Sequence, residues 1–122
     1  MDLDKLEKHL TTAIRLKDSS DRCSLNSKDP DIYVLTDKVL AFFKECWTDI
    51  KLKGDDAHGI YFYQKGFNVI DQVRNEELTV LPKHKNQRDK ILTFNSVKKN
   101  LIDYLHFVIH DLEVRIKEHK TG

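Results

Sequence analysis

Glycine and proline are scarce in this chain. Four glycines and two prolines are spread over 122 positions. A β-sandwich needs a turn about every ten residues, and a disordered chain is rich in breakers and poor in apolar residues. Neither fits a chain whose residues are 39% apolar and 34% charged. Cysteine is also sparse: Cys23 and Cys46 are too few and too far apart for a disulfide framework or a thiolate metal site. No apolar run approaches the ~20 residues of a membrane span, and Met1-Asp-Leu-Asp-Lys lacks the basic-then-apolar pattern of a secretory signal. The expectation is one domain over 1–122, cytoplasmic, with reduced thiols and no membrane contact.

Charge of one sign is lacking overall. The formal net charge is +1, but its distribution is uneven. Residues 55–82 carry two bases and five acids, and residues 83–122 carry nine bases and five acids. Such a modest asymmetry is screened beyond about 8 Å at physiological salt.

Apolar periodicity is present in quantity. In the last third, Val97, Leu101, Leu105, Val108, Leu112 and Ile116 recur every three or four residues and form one stripe of a long helix. This helix is expected to begin near Asn95 or Ser96, after a basic connection from Lys83 to Thr93. A first helix is expected from Asp2 to Lys17, with Leu3, Leu6, Leu10, Ala13 and Ile14 on one face. A polar stretch then leads to Asp29-Pro30, an acid and proline that suit a helix start. The second helix, seamed by Ile32, Leu35, Val39, Phe43, Cys46, Trp47 and Ile50, should stop at Gly54.

Residues 59–66, Gly-Ile-Tyr-Phe-Tyr-Gln-Lys-Gly, have the composition of a strand. Ile60, Tyr63, Phe67, Ile70 and Val73 instead keep helical spacing through Gly66, and a lone hairpin would have no sheet to join. Helix is therefore favoured, with a kink or break near Gly66, where glycine costs up to ~1 kcal/mol relative to alanine. The fold expected is an all-α antiparallel four-helix bundle. The short connection at Gly54 makes helices two and three neighbours, and the pairing of helices one and four is left open.

Catalytic constellations are missing. His106 and His110 stand one helical turn apart, yet no second pair converges on them, and His9, His58, His84 and His119 are scattered. The expectation is solvated histidines, no metal and no cofactor. Cys46 sits in an apolar seam that hides a thiol, whereas Cys23 should be accessible in its linker. The serines lack an elbow motif, and the glycines lack a phosphate-loop pattern. A phosphotransfer histidine before Lys-Gly and an Arg–His ribonuclease pair are both absent at the required spacing. The chain is read as no enzyme.

Two surfaces remain. On helix three, Phe62 and Val69 point away from the Tyr63, Phe67 and Ile70 side; on helix four, Phe107 and Val114 leave the main stripe. Together they suggest an apolar groove between the helices that binds a protein partner or a second copy, as amphipathic segments dock into grooves. This makes the chain a small interaction module: an adaptor, an inhibitor or immunity-type binder, or a subunit of an assembly. The alternative is a nucleic-acid-associated subunit using Lys83, Lys85, Arg88, Lys90, Lys98 and Lys99 for phosphate contacts.

Overall fold

The computed structural model describes residues 2–51 and 56–121. Helices α1 (Leu3–Arg22), α2 (Ile32–Lys51), α3 (Ala57–Val73) and α4 (Gln87–Thr121) form an all-α four-helix arrangement, with no strand among the described residues. A π-helical turn (Arg74–Leu78) and a 3-10 turn (Leu81–Lys83) link α3 to α4.

Side-chain pairings fix the helix directions. His9 near the start of α1 meets Asp49 near the end of α2. On the next edge Asp37 of α2 pairs with Arg74, just past α3, while Phe43 lies against Gly66. Tyr63 of α3 bonds Asp111 of α4, and Asp56 before α3 pairs with Arg115. Lys98 of α4 closes the ring on the carbonyls of Asp21 and Cys23, with Lys120 facing Glu7 at the other end. Each neighbouring pair is thus antiparallel, and α1 and α4 are partners.

Local chemistry moves several boundaries from their expected places. Asp2 caps α1 by accepting the Lys5 N–H at 2.9 Å. The helix continues past Lys17 to Arg22, and within this extra turn Ser20 points inward and satisfies its buried hydroxyl on the Leu16 carbonyl at 2.8 Å. Asp31 rather than Asp29 starts α2, accepting from the N–H groups of Tyr33 and Val34, and Pro30 precedes the helix. The expected stop at Gly54 lies outside the described residues.

Residues 59–66 are helical, and α3 runs through Gly66 without a break. The irregularity lies further on: the π-helical turn begins at Arg74, and a slight bend of 18° falls at residues 79–80. The last helix starts at Gln87, well before Asn95, because Asn86 accepts the Asp89 N–H at 2.8 Å and donates its amide to the Asp89 carboxylate. Most of the expected basic connection is therefore the first two turns of α4.

The core follows the seams. Val39, Phe43 and Cys46 of α2, Tyr63 and Ile70 of α3, and Leu101, Leu105, Val108 and Leu112 of α4 are fully buried. Phe43 is its aromatic hub, with ring centroids 6.1 Å from Phe42, 6.3 Å from Tyr63 and 6.4 Å from Tyr104. Trp47 is half-buried at the edge. In α1 the inward side is Leu6, His9, Ala13, Leu16 and Ser20, whereas Ile14 is exposed, contrary to the face expected for it.

Candidate functional site

Two partly buried polar clusters link neighbouring helices. His9 is only 3% exposed, not solvated as its isolation in the sequence suggested, and its Nε2–H donates to Asp49 at 2.8 Å. The ammonium of Lys5 adds a second contact to the same carboxylate at 3.3 Å. Burial opposes the Asp49 charge, but the bonds from His9 and Lys5 outweigh it and hold the carboxyl below its ordinary pKa. Glu45 brings a third potential metal ligand within 4.8 Å of His9 and Asp49. Lys5 and His9 already occupy the Asp49 oxygens, so the geometry as it stands is that of an interhelical ion pair.

The second cluster joins α3 to α4. Asp111 accepts both the Tyr63 hydroxyl at 2.9 Å and the Arg115 Nε–H at 2.8 Å, and Arg115 also donates to Asp56. Asp56 in turn caps α3 by accepting the Gly59 N–H. Burial raises the Asp56 pKa, but the Gly59 and Arg115 bonds lower it further, leaving it below the ordinary value. A Cβ at Gly59 would stand 2.5 Å from Arg115 Nη2 and 2.7 Å from Asp56 Oδ2, so a larger residue there would make the ends of this pair shift.

Neither cysteine is placed for nucleophilic work. Burial, followed by the charges of Glu45 and Asp49, pushes the Cys46 thiol well above its ordinary pKa. Cys23 is 1% exposed, a correction to the accessible linker thiol expected, because the linker folds back and Sγ donates to the Pro30 carbonyl at 3.3 Å. His106 and His110 are exposed on α4, on the side away from the core.

The apolar strip is uneven. Phe107 is 54% exposed and Val114 40% exposed, two turns apart on the outer edge of α4. The Phe107 ring sits edge-on to Tyr104, with centroids 6.4 Å apart. Phe62 and Val69 are half-buried; the Phe62 ring packs at 5.1 Å against that of Tyr63. On α4 the two side chains are thus open, whereas on α3 they are largely taken up by intramolecular packing.

The basic segment is also divided. Lys83, Lys85 and Arg88 are exposed, and Lys90 is half-buried beside the 23–33 linker. Lys98 spends its ammonium on the Asp21 and Cys23 carbonyls, at 3.0 and 2.9 Å. Lys99 pairs with Asp103 at 2.7 Å. Ile91 and Leu92, exposed on the same stretch, offer no ring for a base to stack on, whereas Tyr33, 42% exposed, lines a cleft with Lys90.

The roomiest of the described clefts was not anticipated. It has a volume of about 500 Å³ and lies between α1 and α2. Leu16, Leu35 and Phe42 form its floor, and Arg15, Arg22, Lys28 and Lys38 stand on its rim. The available signal was Arg15 and Arg22, seven residues apart and therefore on one side of α1.

No known family, characterised protein or solved structure matches this chain.

Proposed function

We propose that this protein is a non-enzymatic interaction module that recognises a protein partner, or a second copy of itself, through the outer edge of α4 and the flank of α3. The observation that carries the reading is the exposure of Phe107 at 54% and Val114 at 40%, two turns apart on one helix. Single exposed apolar residues are ordinary, but two at seven-residue spacing make the anchor pattern of helical recognition. Phe62 and Val69 contribute the half-buried wall. Burial of both thiols supports a binding rather than a nucleophilic role. The nucleic-acid alternative has weaker support, since Lys98 is engaged with the Asp21 and Cys23 carbonyls and Lys99, though exposed, is paired with Asp103.

Phe107→Asp tests the proposal. The substituted carboxylate would face water, so circular dichroism should show a folded helical protein. Light scattering and capture of the bound partner should show association lost. A folded variant with unchanged mass and intact partner binding would refute the reading; an unfolded one would place Phe107 in the core instead.

A further inference from the structure

We infer that the cleft between α1 and α2 is a docking groove for an acidic amphipathic helix of a partner protein. This site is separate from the α4 edge and does not depend on it.

The shape follows from the helix surfaces. Along α1 the rim is Thr12, Arg15, Ser19 and Arg22; along α2 it is Val34, Lys38, Ala41 and Glu45. Both runs keep three- and four-residue spacing, so each is a ridge parallel to the cleft. The α1 ridge covers about ten residues, or ~15 Å, which accommodates three turns of a docked helix. Thr12, Ser19 and Ala41 are small, so a third backbone can come close enough to seat side chains on the floor. That floor is Leu16, Leu35 and Phe42, purely apolar, and calls for apolar anchors at helical spacing.

Charge selects the occupant. Among the described residues, Arg15, Lys28 and Lys38 take part in no ion pair, and Arg22 bonds only the Ser19 hydroxyl. The acids on the rim do not neutralise its middle. Asp31 is committed to capping α2, Asp29 lies beside it at one end, and Glu45 stands at the other end. Arg15 and Lys38 therefore flank a central apolar stretch with like charge and no counter-ion. A small free anion would leave the exposed Val34 and Ala41 side chains unused, and a nucleic acid would find only the Phe42 ring, 3% exposed and too covered for a base to stack on. A helix carrying apolar anchors with carboxylates on both sides satisfies floor and rim together.

The test uses a labelled three-turn peptide with leucines on one helical face and glutamates flanking them, and a sister peptide with lysine at every glutamate position. Fluorescence anisotropy should show saturable binding of the acidic peptide, weakened by salt, and none of the lysine form. Ala41→Trp, which fills the groove from an exposed position, should abolish binding. Arg15→Glu and Lys38→Glu should each weaken it about tenfold. Phe107→Asp should leave it unchanged, which separates this site from the α4 edge. Circular dichroism confirms that each exposed-site variant is folded. Binding of neither peptide, equal binding of both, or indifference to Ala41→Trp would overturn the inference. So would a wild-type dimer that becomes monomeric on Ala41→Trp, because a second copy would then own the groove.

Discussion

The ring of Phe43 rests on the bare backbone of Gly66. A Cβ added at Gly66 would lie 2.7 Å from Cε1 and 3.1 Å from Cδ1 of that ring. Phe43 is fully buried among Phe42, Tyr63 and Tyr104, so it has little room to yield. Two effects oppose one another on substitution. Alanine is the better helix former by ~1 kcal/mol, whereas overpacking a closed core costs ~1–3 kcal/mol. Gly66→Ala should therefore lower the thermal midpoint. The smaller Phe43→Leu should reduce that penalty when the two are combined, a coupling that denaturant titration of the four-member cycle would measure. Additive effects would mean that the two helices are not in such close contact.

Phe43→Ala should cost ~3–5 kcal/mol, a large part of the stability of a domain this size. Leu105→Ala, also fully buried, should cost ~2–5 kcal/mol. Unfolding in urea should show both as lower midpoints; a midpoint within error of wild type for either would show its seam to be misplaced.

Acid should unpin the bundle at two places. Asp49 and Asp56 have folded pKa values below the ordinary carboxylate value. A depressed carboxyl contributes stability above its unfolded pKa, near 4, and loses it as pH falls through the folded value. The contribution of these two carboxyls should thus be constant from neutrality to about pH 5 and decline below about pH 4. Asp49→Asn and Asp56→Asn should each lower stability at pH 7 and reduce the acid-dependent slope. Equal slopes in wild type and the double variant would show that other carboxylates govern the transition.

Both thiols should be slow to react in the native protein. Cys23 and Cys46 are buried and free, so a chromogenic disulfide reagent should titrate them only as fast as the bundle opens. In denaturant both should react at once. Rapid native reaction of one equivalent, mapped to Cys23, would show that the 23–31 linker opens independently of the helices.

The seams of α2 and α4 were legible because every third or fourth residue is apolar and almost every one is buried. The start of α4 was not. Ile91 and Leu92 are exposed and break the apolar rhythm before Phe94, so Asn95-Ser96 resembled a cap while the working cap, Asn86, sat in a run of bases. Glycine propensity predicted the irregularity at Gly66, but packing against Phe43 makes that glycine a close-approach residue within a regular helix. Of the α4 edge, Phe107 and Val114 could be read as off-stripe from angular position alone. The half-burial of Phe62 and Val69 could not, because it depends on how the neighbouring rings pack. The cleft between α1 and α2 belongs to neither helix alone: it is a property of their separation, which no single-helix periodicity encodes.

The Lys120–Glu7 pair has a consequence for how the molecule can be joined to others. It marks where the first turns of α1 lie beside the last turns of α4, so Asp2 and Thr121 share one pole, the one that Asp56 and Arg115 also occupy. Anything attached at Asp2 or at Thr121, whether a tag, a tether to a surface or a reporter, would crowd that pole. The opposite pole, formed by the 23–31 linker and the 79–86 turn, stays clear. A loop at that opposite pole is then the natural place to open the helical bundle once Asp2 and Thr121 have been joined by a linker.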